Sequence, residues 1–206
     1  MYVLYHHPFS QHVRRVVALM AEAGIDYDIR PVDLAAGEHM SPAYLKINPN
    51  HQIPTLLDGD VKIHESNAIL RYLAAKHHLD DWYPTDLARR AAVEQWLDWG
   101  QCRLGPAVVD IVFNKVFAGE RGDKSAIERG EAKLAELGPI LEAGLRRTPY
   151  LTGDQPTIAD LAIWSNLFHL TLADADPKSP NITAWLGRMM ARKGVQQALP
   201  PRPAAA

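Results

Sequence analysis

The stretch Tyr2-Val3-Leu4-Tyr5-His6-His7-Pro8-Phe9-Ser10-Gln11 decides how the first half of this 206-residue chain folds. Tyr2 to Tyr5 predicts a short buried strand, and His6-His7-Pro8-Phe9 breaks it. From Ser10 onward Val13, Val16, Val17 and Met20 recur at helical spacing until Gly24, which suits a left-handed helix end. Ser10 is therefore expected as a helix N-cap or first-turn residue, its hydroxyl among backbone N–H groups that lack intrahelical partners. Such a spot favours negative charge, because the helix dipole and the free donors point at it. A thiolate brought to Ser10 would be stabilised by the hydroxyl and the helix end together. Taken alone, the same residue is also an ordinary N-cap serine.

Outward from this start, Tyr27 to Val32 alternates as a second strand. Ser41-Pro42 predicts an N-cap and N1 proline opening a turn or two of helix through Tyr44 and Leu45. Asn48-Pro49 breaks the chain. Pro54 to Leu57 and Val61 to His64 are expected as two strands joined around Asp58-Gly59. Ser66 is expected to cap a last helix carrying Ile69, Leu70 and Leu73. The order is β-α-β, a connecting segment, then β-β-α, the order of a thioredoxin-like domain. A right-handed β-α-β crossover brings the N-termini of both helices to one end of the sheet, so Ser10 and Ser66 would flank a single site.

The second half differs in character. Eight of the nine histidines lie in residues 1–78, and all five tryptophans at or after residue 82. The polar stretch 79–86 is read as a linker between a first domain, 1–78, and an all-helical domain, 87–206. In the latter, residues 87–118 predict a long helix kinked by Gly105-Pro106, and a second helix runs from about Asp123 to Arg146. Thr157 opens a third helix, with Asp160 three residues on as a carboxylate variant of the capping box. Ile158, Leu161, Ser165, Phe168 and Leu172 form its expected inner stripe, and a final helix carries Ile182, Trp185, Leu186 and Met189. The aromatic residues are expected in the core. The proline- and alanine-rich tail, 200–206, is expected to fray.

Composition narrows the classes. A net charge of -2 gives no basic field for nucleic acid. No apolar run reaches membrane-spanning length, and the chain opens on a strand instead of a signal peptide. Cys102 is the only cysteine, expected as a buried or half-buried small hydrophobe, so neither a disulfide framework nor a zinc cluster is available. His6 and His7 fall on alternate faces of a strand end and cannot share a metal. The expectation is a soluble, cytoplasmic protein without a metal site.

The order of domains and certain motifs together resemble the cytosolic glutathione transferases. The motifs are Ser10-Gln11 ahead of Val13-Arg14-Arg15-Val16, Gly37-Glu38-His39-Met40-Ser41, and Asn48-Pro49 with Gln52-Ile53-Pro54. Glu65-Ser66 and Leu151-Thr152-Gly153-Asp154 before Thr157-Ile158-Ala159-Asp160 complete the set. The likeness is to the theta and phi classes and their bacterial relatives, which place a serine at the thiol. The opening His6-His7-Pro8-Phe9-Ser10-Gln11 also resembles bacterial theta-type dihalomethane dehalogenases.

This resemblance implies a mechanism: the thiolate of glutathione, the co-substrate, attacks an electrophilic carbon without further cofactor. Ser10 would hold the sulfur, because the position expected for tyrosine-type members carries His6 and the first domain has no cysteine. Pro54 is cis in the family and leaves the N–H and C=O of Ile53 to pair with the cysteinyl backbone. Glu65 would accept the γ-glutamyl ammonium, and Ser66 would donate to its carboxylate. His39 and Gln52 face the glycyl carboxylate, Gln11 belongs to the same set, and Arg14 could add a positive field. Phe9, Arg103 and Leu104 are the expected electrophile contacts. The protein is expected to be a homodimer. A glutathione-dependent dehalogenase and a non-catalytic glutathione-binding carrier are the alternatives.

Overall fold

A computed structural model describes residues 1–201 and divides the chain into two compact units, residues 1–78 with 192–201, and residues 79–191. In the first unit, four strands form one mixed sheet: β1 (Tyr2–His6), β2 (Tyr27–Pro31), β3 (Thr55–Asp58) and β4 (Val61–His64), in the order β2-β1-β3-β4. β1 runs parallel to β2, with Tyr2 opposite Tyr27, and antiparallel to β3, with Leu4 opposite Leu56. The predicted hairpin forms, but its two turn residues are Gly59 and Asp60, since Asp58 pairs with Val61. Gly59 supplies the φ of 58° that this tight turn requires.

Alternation along β1 turns Leu4 into the core, where it meets the apolar faces of α1 (Gln11–Ala23) and α3 (Ser66–Lys76). Val16, Met20, Leu56, Ile69 and Leu73 are all fully buried there. α1 ends at Gly24, with φ 63° and its N–H on the carbonyl of Met20, as the sequence predicts. The short α2 (Pro42–Leu45) is capped by Ser41, whose hydroxyl accepts from the Tyr44 N–H at 3.2 Å.

The domain boundary differs from expectation at its far end. Residues from Arg192 belong to the first unit, and α9 (Lys193–Gln197) packs on α1. Glu22 fixes it, accepting from Arg192 Nη2 at 2.5 Å and from the Gly194 N–H at 2.9 Å. A Cβ on Gly194 would lie 2.6 Å from the Glu22 nitrogen and 2.9 Å from the Ala18 carbonyl, so only glycine permits this approach. Nothing in residues 192–201 taken alone reveals their long-range partner. Of the predicted frayed tail, residues 202–206 lie outside the described residues.

The second unit contains α4 (Leu87–Trp99), α5 (Gly105–Val112), α6 (Lys124–Gly144), α7 (Ile158–Thr171) and α8 (Pro180–Met190). The expected kink in residues 87–118 is a pair of π-helical stretches, Gly100–Leu104 and Phe113–Phe117. Pro106 has no N–H for the carbonyl of Cys102, and the register loosens ahead of it, with the Gly105 N–H on Gly100. The same five-residue step recurs where Ala118 donates to Phe113 at 2.8 Å. Cys102 lies on the first of these stretches and is exposed, against the expectation of a buried or half-buried residue.

α7 is enclosed on nearly every side: of the expected stripe Ile158, Leu161 and Ser165 are buried while Phe168 and Leu172 are only half-buried, and residues outside the stripe are buried too. Ile158, Leu161, Ile163, Trp164 and Leu167 all have zero exposure. The predicted capping box is present, with the Thr157 N–H donating to Asp160 Oδ2 at 2.9 Å. Glu142 of α6 caps α8 by accepting from the Asn181 and Ile182 N–H groups, each at 3.1 Å. Among the described residues no helix is long and apolar enough to cross a membrane.

Candidate functional site

The N-terminal ends of α1 and α3 carry the candidate site residues Ser10 and Ser66 within the first unit. Ser10 is the N-cap of α1, with φ -76° and ψ 119°, and its hydroxyl oxygen accepts from the Val13 N–H at 3.3 Å. Accepting leaves the hydroxyl hydrogen for an anion in front of the helix. Neither α1 nor α3 has an acidic residue in its first turn, and α1 carries no acidic residue at its cap either, so its positive end is left for an external anion.

α3 begins differently from the sequence expectation. Ser66 is its first residue and Glu65 occupies the cap position, with φ 68° and ψ 109°. A non-glycine residue rarely holds such a φ without a reason in its surroundings. The consequence is a division of labour between neighbours: Glu65 is exposed while Ser66 is buried. Ser66 Oγ lies 3.5 Å from Nδ1 of His12, the second residue of α1. The two helix starts therefore meet, as right-handed crossover requires. His12 was not singled out by the sequence, because a histidine at N2 carries no signal of what lies across from it.

The third component is the loop before β3. Ile53–Pro54 is cis, and Ile53 precedes the ladders, which begin at Thr55. The loop is anchored by buried Asn48, which donates to the Gln52 carbonyl at 2.7 Å and to Thr55 Oγ1 at 3.2 Å. The Tyr44 hydroxyl donates to the same carbonyl at 2.7 Å. The Gln52 side chain is exposed, and His51 beside it has a φ of 57°. His39 is half-buried on a single 3-10 turn, Glu38–Met40.

The remaining predicted residues are distributed less simply. Gln11 is 4 % exposed in the first turn of α1. Arg14, expected as a positive group, is buried, and burial pulls it down to about 10. Arg15 donates to Asn67 Oδ1 at 3.1 Å and is pulled down to about 9 by burial and by Arg14. Burial also pushes His6 and His7 below the ordinary imidazole value, with His7 adding to the effect on His6 and Asp33 opposing it on His7. Phe9 is half-buried, its ring 6.0 Å from that of His7. In the helical unit Arg103 is exposed, whereas Leu104 is 1 % exposed. Among the described residues no group of three or more histidines, cysteines and carboxylates could hold a metal ion.

Comparison with known proteins gives this geometry its family. The N-terminal domain model of glutathione S-transferases matches residues 1–75, and the C-terminal domain model matches residues 124–188. Glutathione S-transferase 3 of Zea mays is 35 % identical over 219 residues, covering 97 % of this chain and 96 % of that protein. Human glutathione S-transferase theta-1 is 34 % identical over 199 residues, covering 93 % and 83 %. The crystal structure of glutathione transferase F7 from Populus trichocarpa superposes with a TM-score of 0.88 at 32 % identity, covering 96 % of this chain and 97 % of that one. The chain belongs to the glutathione S-transferase family.

Proposed function

We propose that this glutathione transferase is of the serine type, with Ser10 stabilising the thiolate that attacks an electrophilic carbon. The observation that carries this is the meeting of the two helix starts, with Ser10 capping α1 and Ser66 Oγ 3.5 Å from His12. A tripeptide laid along the cis-Pro54 loop would place its γ-glutamyl group at Glu65 and Ser66 and its sulfur at Ser10. Ile53 would pair with the cysteinyl backbone, as in strand addition. Gln11, His39 and Gln52 complete the set, the last two toward the glycyl carboxylate. Among its similar proteins, the Zea mays and theta-1 transferases support the same phi- and theta-like reading.

The chemistry asks little of the protein. A thiolate is the nucleophile, and a thiol of ordinary pKa about 8.5 is mostly protonated at neutral pH. One charge-assisted hydrogen bond contributes about 1.5–3 kcal/mol, and a helix N-terminus about 0.3–1 kcal/mol more. Together these lower the thiol pKa by about one to three units at 1.36 kcal/mol per unit. The electrophile's leaving group departs with the bonding pair as the carbon–sulfur bond forms.

Glutathione consumption with an aryl halide tests the activity. Turnover that saturates in glutathione is the expected result, and binding without turnover would favour a carrier. The likeness of residues 6–11 to bacterial dehalogenases supports a second reading, halide release from a dihalomethane, and a place among bacterial members. The family reading also makes the protein a cytoplasmic homodimer, so sedimentation at micromolar concentration should give twice the 22.9 kDa chain mass.

A further inference from the structure

We propose that His12 is a positioning residue for glutathione, acting through Ser66. The inference rests on the reading of Ser66 as the donor to the γ-glutamyl carboxylate. His12 belongs to the first turn of α1 and Ser66 to the first turn of α3, 54 residues later, yet Nδ1 and Oγ lie 3.5 Å apart. Ser66 is buried and His12 half-buried, so the imidazole covers the hydroxyl from the side of α1.

A serine hydroxyl has one hydrogen and two lone pairs. If Nδ1 accepted that hydrogen, Ser66 would have none left for a carboxylate. If Nδ1 carries a proton it donates to Oγ, and the single hydroxyl hydrogen is turned outward to the ligand. A carboxylate arriving at the two helix ends accepts hydrogen bonds only, so its binding selects the second arrangement. His12 then fixes the hydroxyl rotor without touching the reacting sulfur. The role is specific to a donor at the Nδ1 position. An asparagine amide nitrogen falls near Nδ1, whereas a glutamine amide nitrogen falls near Nε2.

The test compares His12→Asn, His12→Gln and Ser66→Ala in the full chain. The readouts are KM and kcat for glutathione with an aryl halide, and calorimetric affinity for glutathione and for its analogue lacking the γ-glutamyl carboxylate. His12→Gln should weaken glutathione binding about three- to tenfold, the scale of one lost hydrogen bond, with kcat at saturation unchanged. His12→Asn should stay close to wild type, and neither change should affect the analogue. Both replacements are polar residues in an open first turn, so a fold defect would appear equally in the two and in the analogue's affinity. Equal behaviour of the Asn and Gln variants, or an equal loss for both ligands, overturns the proposal. If Ser66→Ala weakens glutathione while His12→Gln does not, His12 has no positioning role and the site reading stands. If Ser66→Ala changes nothing, the site reading fails and the role of His12 falls with it.

Discussion

Trp185 donates its indole N–H to Asp160 Oδ1 at 2.9 Å, and both side chains are fully buried. The same oxygen accepts the Leu151 N–H at 3.0 Å, while Oδ2 takes the Thr157 N–H and hydroxyl. One carboxylate thus joins the turn before α7, the α7 cap and the middle of α8.

Asp160→Asn should therefore be destabilising although it is nearly isosteric. One oxygen becomes an NH2 group that cannot accept, so two buried donors lose their partner. At about 1–3 kcal/mol per unsatisfied group, the loss is about 2–6 kcal/mol, read as a lower melting temperature. Turnover per folded molecule should stay near wild type. Burial pushes the Asp160 carboxyl above its ordinary value, against the pull of its hydrogen bonds. A raised folded value means the folded state holds the proton more tightly. This contribution to stability is present below the ordinary value of 3.8 and lost as pH rises through the raised one. The advantage of wild type over the Asn variant should accordingly shrink as pH rises above the ordinary value of 3.8. A constant difference would mean that the carboxyl titrates alike folded and unfolded.

Gly194→Ala should loosen α9 from α1. The added methyl carbon would enter space held by the Glu22 and Ala18 backbones, which cannot rotate away. Overpacking of this kind costs about 1–3 kcal/mol, seen as a lower melting temperature and faster hydrogen exchange in α9. Wild-type stability would mean that α9 docks only loosely.

Glu65→Gly should separate stability from binding. Glycine adopts a φ of 68° without a Cβ penalty, so thermal stability should hold or rise by about 1 kcal/mol. Glutathione affinity should drop about tenfold, because the ammonium loses its carboxylate partner. Unchanged affinity would remove Glu65 from the site.

Local signals proved legible wherever a residue's role depends on its immediate neighbours. Ser10, Ser41 and Thr157 each cap the helix they precede, and Gly24 ends α1 in the left-handed conformation. Long-range choices were hidden. Glu65 takes the cap position that serine chemistry would give to Ser66, because the chain leaves β4 with a positive φ. The first π stretch reflects how α4 and α5 negotiate Pro106, and α9 joins α1 through Glu22, distant in sequence. Cys102 is exposed and Leu104 buried, two residues apart and so on nearly opposite sides of the helical chain, and which side faces inward is set by long-range packing.

The most direct test of Ser10 is the ultraviolet absorbance of bound glutathione thiolate followed against pH in wild type and Ser10→Ala. The hydroxyl favours the charged sulfur, so removing it should raise the thiol pKa by about one to two units, the worth of one charge-assisted hydrogen bond. Glutathione affinity should change little, and turnover at neutral pH should fall roughly in proportion to the thiolate lost. An unshifted titration with full turnover in Ser10→Ala would contradict the account and move thiolate stabilisation to the backbone donors of α1.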